Sequence, residues 1–409
     1  MTDLRAIDLF SGAGGLSWGL QDAGFNVLFG SDIDKASAAT YSRNHPCAEF
    51  YTGDITALKG EAILAATGLR PGELDLLAGG PPCQGFSIIG SRQNDDPRND
   101  LFRHFIRIAT ELRPKVILIE NVPGLATLNG GKAVTAISEA FSAAGYSCEF
   151  AELLAAQYGV PQMRWRMVFI GFRLDLAIPP GSGFPAPTHG KRGIGELIPN
   201  CAISADDSAG FLTTFDAIAD LPSVQAGAQV DRYSDGPSTP YQRRMRQSAG
   251  NELHNHYAPK LSKQNLDRIK FLSPGQNWRD LPIELLPDGM KKALRKDHTR
   301  RYSRMTWEGV PRSIITRFRD PKSGEYSHPA QIRTISIREA ARIQSFPDRF
   351  IFCGSNTEQY NQVGNAVPPI LAEAIGRELA ACLRGETTFK MSNQFSRRPA
   401  LRQRQLMLA

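Results

Sequence analysis

The sequence predicts an α/β protein: a doubly wound, mostly parallel sheet with a second, smaller domain inserted into it. Three observations point there. Through the first 172 residues, short apolar runs alternate with helical stretches, the pattern of consecutive βα units. Runs such as Val116-Ile117-Leu118-Ile119 are apolar at every position, as strands buried on both faces are. Near residue 173 the texture breaks. A Pro/Gly segment at 178–187 (IPPGSGFPAP) leads into a region without sustained periodicity that lasts to about 330.

The strands expected in order are 4–10, 26–32, 74–78, 115–121, 146–153 and 166–172, with helices near 15–23, 34–44, 99–112 and 131–144. Regular structure returns after Ile332. Ser336 followed three residues later by Glu339 is a capping box, opening a helix that Phe346-Pro347 ends. A final helix is expected over 369–383. The last 23 residues, from Thr387, carry five basic and no acidic side chains and read as a disordered basic tail.

Composition narrows the class. Hydrophobic residues make up 41% and charged residues 22%, ordinary values for a globular protein. No apolar run approaches the roughly 18–20 residues that span a bilayer. The N-terminus lacks a signal-peptide pattern, so a cytoplasmic protein with no membrane association is expected. Six cysteines, at 47, 83, 148, 201, 353 and 382, show no paired spacing, which argues against a disulfide framework and against a metal site. The net charge of +7 is segregated: residues 1–229 hold 17 Lys/Arg against 24 Asp/Glu, whereas 230–320 hold 19 against 10. A basic middle on an acidic body suits a polyanionic partner.

Candidate site residues cluster where strands end. Phe10-Ser11-Gly12-Ala13-Gly14-Gly15-Leu16 reads as a glycine turn between strand and helix, which lets the backbone approach a ligand closely. The nicotinamide pattern G-x-G-x-x-G fails, because Ser17 stands at its sixth position. Asp32, ending the second strand, suits ribose hydroxyls, and Asp54 in Gly53-Asp54-Ile55-Thr56 could accept from an adenine amino group. Three polar strand ends in order suggest an adenosine-containing cofactor. Gly79-Gly80-Pro81-Pro82-Cys83 then holds a cysteine on a stiff turn after the strand at 74–78. Glu120 ends the next strand and would lie near Cys83 if those strands are neighbours. Arg164 and Arg166, two apart, point to one side of an extended segment. Gln362–Pro369 (QVGNAVPP) is expected to be a second stiffened loop.

Taken together, FSGAGG, GDIT, GGPPCQGFS, ENV, QYGVPQMRWR, RTISIREAARIQSFPD (Arg333–Asp348) and QVGNAVPP resemble, in order, the blocks of bacterial DNA cytosine-5 methyltransferases. The resemblance covers roughly 1–172 and 332–385. It implies the S-adenosylmethionine-dependent methyltransferase fold, divided into a catalytic part over 1–179, a target-recognition domain over 180–331, a closing catalytic part over 332–386 and the tail at 387–409. It implies Cys83 as nucleophile, with Glu120, Arg164 and Arg166 holding the cytosine. It implies a cofactor site of Phe10, Ser11, Gly12, Gly14, Gly15, Leu16, Asp32, Ile33, Asp54, Ile55, Pro82, Asn365 and Ala366, and no metal. Ser87 and Arg98, in a polar segment resembling a mobile catalytic loop, would touch the flipped nucleotide's backbone. Arg304, in RYSRMTW at 301–307, would contact DNA within the recognition region.

The family departs here at two positions: Asp32 stands where many relatives have Glu, and Ile33 where an aromatic residue often stacks on adenine. The implied partners are duplex DNA and a companion restriction endonuclease, and the enzyme is expected to act as a monomer. A tRNA cytosine methyltransferase is the nearest alternative, but its Cys-Phe-Thr signature is not found. A non-catalytic DNA-binding regulator would lack one of the catalytic residues, and all four are present.

Overall fold

The computed structural model describes residues 3–82, 99–190, 209–291 and 300–386, excluding the side chains of residues 99, 100 and 127–130. Two compact units divide the chain. The first comprises 3–82, 99–159, 165–190, 209–211 and 367–386 of the described residues, and the second comprises 160–164 with 212–291 and 300–366.

The first unit is built on a seven-stranded sheet. Its elements are β1 (Leu4–Leu9), α1 (Gly15–Asp22), β2 (Phe25–Asp32), α2 (Lys35–Asn44), β3 (Glu49–Thr52), α3 (Gly60–Thr67), β4 (Leu76–Gly79), α4 (Asn99–Leu112), β5 (Val116–Asn121), α5 (Lys132–Ala143), β6 (Tyr146–Leu154) and β7 (Trp165–Arg173). The strand order is β3-β2-β1-β4-β5-β7-β6. The strands from β3 to β5 pair in parallel, and β7 runs antiparallel between β5 and β6. The order reverses between β1 and β4, the switch point at which open α/β sheets bind ligands beyond their carboxyl ends.

The run Val116–Ile119 is buried throughout, as a central strand covered on two faces must be. On one face Phe105, Ile108 and Leu112 of α4 and Ile137 and Phe141 of α5 join Leu9, Leu77, Ile117 and Ile119 in one core. The six expected strands all form, with ends shifted by at most two residues. β3 adds to them: it is four residues long, with no buried residue, and carries no apolar run to announce it.

The second unit contains α6 (Thr214–Ile218), α7 (Pro240–Arg246), α8 (Lys263–Phe271), α9 (Asp288–Lys291), β8 (Ser303–Arg304), β9 (Glu325–Ser327), α10 (Ile337–Ile343) and α11 (Asn356–Asn365). The capping box at Ser336 and Glu339 forms, and every residue of α10 is buried. A buried helix bearing arginines must pair them. Arg342 bonds both oxygens of Asp348 at 2.6 Å and reaches Asp220 at 3.0 Å, while Arg333 grips Glu339 with two bonds of 2.7 Å. Bidentate, charge-assisted pairs of this kind satisfy buried charge and fix geometry.

These pairs explain why the compact units differ from the segments expected from the sequence. Residues 332–366, expected to close the catalytic part, pack into the second unit because α10 is tied to Asp220. Residues 180–190 and 209–211, expected in the recognition domain, pack in the first. Residues 362–365 also differ from expectation: they are helical, because Ser355 and Glu358 cap α11 and carry it through Asn365. The last helix, α12 (Pro369–Leu383), returns to the first unit and crosses α1 closely. A Cβ on Gly19 would lie 2.2 Å from the Pro369 carbonyl oxygen, so glycine is what allows the crossing.

Candidate active site

The glycine turn after β1 is built from left-handed residues: Phe10 has φ of +57°, Gly12 +52° and Gly14 +96°. A non-glycine residue there is uncommon, and such strain persists only where surrounding bonds over-determine it. Those bonds come from the end of β2. Ser11 N–H donates to Ser31 O at 3.0 Å, and Gly12 N–H donates to Asp32 Oδ2 at 2.9 Å. Asp32 Oδ1 accepts from Asp34 N–H at 2.9 Å. Each carboxylate oxygen keeps a further lone pair. Burial pushes this carboxyl above its usual range, against the backbone bonds that lower it.

Gly53 N–H donates to Asp32 O at 3.0 Å, which sets the exposed Asp54 alongside. Asp54 accepts from Thr56 N–H, and that bond holds its carboxyl below the usual range. Ile33, next to Asp32 in the chain, is 68% exposed and leaves an apolar side chain open. A ribose acceptor, an apolar surface and an amino-group acceptor beside a glycine turn fit an adenosine-bearing cofactor. Ile55 and Leu16 are buried, Ile55 within the core of the first unit.

The neighbouring strand ends hold a second cluster. β4 and β5 pair in parallel, with Gly79 opposite Ile119, so the Pro-Pro turn emerges beside Glu120. Asn121 Nδ2 donates to Pro81 O at 2.9 Å and braces that turn. Asn121 was not singled out in the sequence, although its place in Glu120-Asn121-Val122 could have marked it. Pro82 is exposed; Cys83, Ser87 and Arg98 lie outside the described residues. Across the sheet, Arg166 of β7 sets its Nε 2.5 Å from Glu120 Oε1, with both side chains about nine-tenths buried. Among the described residues, Oε1 has no donor of regular hydrogen-bond geometry, so the pair is a charge contact that leaves the carboxyl group capacity for another partner.

The family model of C-5 cytosine-specific DNA methylases matches residues 4–381. The chain belongs to that family. Methyl transfer to carbon 5 of cytosine in DNA is accordingly its reaction, and its sheet is the methyltransferase fold. Type II methyltransferase M.AgeI of Thalassovita gelatinovora is 33% identical, over 93% of this chain and all of its own length. Type II methyltransferase M1.HphI of Haemophilus parahaemolyticus is 35% identical, over 91% of this chain and 85% of its own. Among solved structures, one described as a DNA modification methyltransferase encoded within an E. coli prophage superimposes with a TM-score of 0.70. It is 26% identical and covers 93% of this chain and all of its own.

Within this methylase, two arginines expected to meet DNA or its base face protein instead. Arg164 belongs to the second unit. There it donates to Ile314 O at 2.7 Å, Ala366 O at 2.9 Å, Gly364 O at 3.2 Å and Ser313 Oγ at 3.2 Å. It staples the turn at 313–316 to the end of α11. Gly364 permits that closeness, since a Cβ there would lie 2.3 Å from Thr316 N. Asn365 and Ala366, expected at the cofactor, are the last residues of this second unit, and the Ala366 carbonyl serves Arg164.

Arg304 is likewise turned inward and donates to His328 O, Ile269 O and Leu272 O. Its extended segment places a long cation under β9 and α8, where carbonyls are the available acceptors. Arg304→Ala is therefore expected to destabilise the fold by about 1–3 kcal/mol, the cost of stranding buried acceptors, as denaturant unfolding would read it. The salt dependence of DNA binding should not change.

Proposed function

We propose that the chain is the modification enzyme of a bacterial restriction–modification system, methylating one cytosine within a specific duplex DNA sequence so that a companion endonuclease spares it. The observation that carries the catalytic reading is the buried Glu120–Arg166 pair beside the braced Pro-Pro stem of Cys83. S-adenosylmethionine would be held by Phe10, the 11–15 turn, Asp32, Ile33 and Asp54, and when bound it supplies the methyl group that carbon 5 takes.

Carbon 5 of cytosine is a weak nucleophile, and the protein's part is to change that. The Cys83 thiolate adds to carbon 6, forming a sulfur–carbon bond. The ring double bond moves to C4–C5 and the displaced pair reaches N3, where protonated Glu120 delivers its proton. Arg166, fixed against Glu120, steadies the charge that alternates on that carboxyl group. As carbon 5 takes the methyl group the C4–N3 double bond re-forms and the N3 proton returns to Glu120. Loss of the carbon 5 proton to solvent then re-forms the C5–C6 double bond, breaks the sulfur–carbon bond and frees the thiolate. A base stacked in a duplex cannot reach this corner, so the nucleotide must be flipped out.

The test is to express the chain in a host lacking cytosine-5 methylation and sequence plasmid DNA for 5-methylcytosine, with transfer RNA assayed in parallel. Modification confined to one cytosine of one short motif is expected. Modified transfer RNA with unmodified DNA would overturn the reading.

Specificity is assigned to the second unit. Exchanging 212–366 in one piece for a relative's should change the methylated sequence and keep the product. Cutting at 331 instead would part Arg342 from Asp220 and should give a poorly folded hybrid, read by thermal melting. A well-folded 212–366 hybrid that still modifies the original motif would remove specificity from this unit.

A further inference from the structure

The glycine turn is held from a second side, by residues no motif above includes. His45, one residue past the end of α2, points its Nε2 at Gly14 O, 3.2 Å away, and its Nδ1 at Gln21 Oε1, 2.8 Å away. The ring is 1% exposed and lies flush on the turn: a Cβ on Gly14 would fall 2.4 Å from Nε2. Tyr41, one helical turn earlier, stacks on the His45 ring at 4.4 Å between centroids. Its hydroxyl meets Ser17 Oγ at 2.9 Å, and Ser17 donates to Asp8 at 2.7 Å, which ties α2 to α1 and β1.

Gly14 O can only accept, so its contact with Nε2 is a hydrogen bond when the ring proton sits there. The Gln21 amide, which places Oε1 toward Nδ1, must then be turned so that its nitrogen donates to Nδ1. Burial depresses the His45 pKa to about 4, so the ring is neutral near pH 7 and this tautomer is available.

Peptide planarity gives the contact its consequence. In a trans peptide the Gly14 carbonyl and the Gly15 N–H lie in one plane and point in opposite directions. Gly14 O also accepts from Trp18 N–H at 2.9 Å. His45 and Trp18 together hold the carbonyl back along α1, which aims the Gly15 N–H out of the helix N-terminus. The first N–H groups of a helix have no partner within it and are free to bind a ligand.

We propose that His45 is a positioning residue for S-adenosylmethionine: by fixing the Gly14 carbonyl it orients the Gly14–Gly15 peptide toward the cofactor. Asp32 fixes the front of the turn through Gly12, and His45 fixes the back. This rests on the cofactor site proposed above.

Two near-isosteres separate positioning from packing. A glutamine places its amide nitrogen near where Nε2 lies, whereas an asparagine places its own near Nδ1. Binding of S-adenosylhomocysteine to the full chain, by titration calorimetry, is compared with thermal melting and with steady-state kinetics on DNA. His45→Asn should weaken binding about three- to ten-fold, the worth of one neutral hydrogen bond. The KM for S-adenosylmethionine should rise with it, while kcat at saturation stays within about two-fold. His45→Gln should bind as the wild type does, even if both variants melt earlier by similar amounts. Equal affinities for the two variants and wild type, with Asp32→Ala binding weakly, would overturn the role of His45 alone. A wild type that does not bind S-adenosylhomocysteine would overturn the cofactor site itself.

Discussion

Replacing Cys83 by serine is expected to reduce methyl transfer by about 10⁴-fold or more, the scale on which loss of a nucleophile acts in enzymes that work through one. A serine hydroxyl is not ionised near neutral pH and forms the bond to carbon 6 poorly. The groups that hold base and cofactor remain, so DNA and S-adenosylhomocysteine affinities should change little. Glu120→Gln is the informative companion. The amide can still hydrogen-bond to the ring but cannot deliver a proton to N3, so a loss of about 10²–10⁴-fold in kcat is expected. DNA with 5-fluorocytosine at the target should accumulate a covalent complex on Cys83, since fluorine cannot leave carbon 5 as a proton does. A serine variant that keeps more than a few per cent of the rate, or a wild type that traps no adduct, would exclude covalent catalysis.

DNA affinity should fall by roughly 10³–10⁵ between 50 and 200 mM salt if six to ten cations of the second unit meet phosphates. The structure narrows which cations those are. Arg164, Arg268, Arg304, Arg333, Arg338 and Arg342 are buried among carbonyls and carboxylates and have no reach to spare. Arg232, Arg243, Lys260, Lys263, Lys270, Arg317 and Arg319 are exposed. Removing one phosphate-bound member of this second group should lower the salt slope by about one and weaken every sequence alike, while removing a base-reading one should cost about 1–3 kcal/mol and relax one position. The measurement needs a chain ending near residue 386, because the five cations after Thr387 would add their own slope. A nearly flat salt response in that chain would mean that the charge excess of 230–320 only solvates its surface.

Much of this was legible in the linear sequence. Alternating apolar runs set six of the seven strands of the first unit within two residues of where they lie. The glycines of 12–15, Asp32, Asp54 and Glu120 fall at strand ends because ligand-binding groups in a parallel sheet must sit beyond its carboxyl edge. Local chemistry carries such signals: a capping box is read within four residues, and a Pro-Pro turn within two.

What only the tertiary structure decided concerns residues whose partners are far away in the chain. Arg164 and Arg166 look equivalent in QYGVPQMRWR. Arg166 meets Glu120 on the adjacent strand, whereas Arg164 meets carbonyls as far off as Ala366. An arginine offers the same donors to a phosphate, a base or a buried carbonyl, so its type cannot say which it serves; Arg304, expected at DNA, donates to three carbonyls. His45 carries no motif at all, and its place against Gly14 depends on how α2 packs on α1. The extent of the second unit likewise hangs on Arg342 meeting Asp220, 122 residues earlier. The sequence by itself determined which chemistry gathers along the sheet's carboxyl edge, because that edge is built from local βα units. Which cations turn inward, and what braces the glycine turn from behind, were decided by packing between segments that no local pattern links.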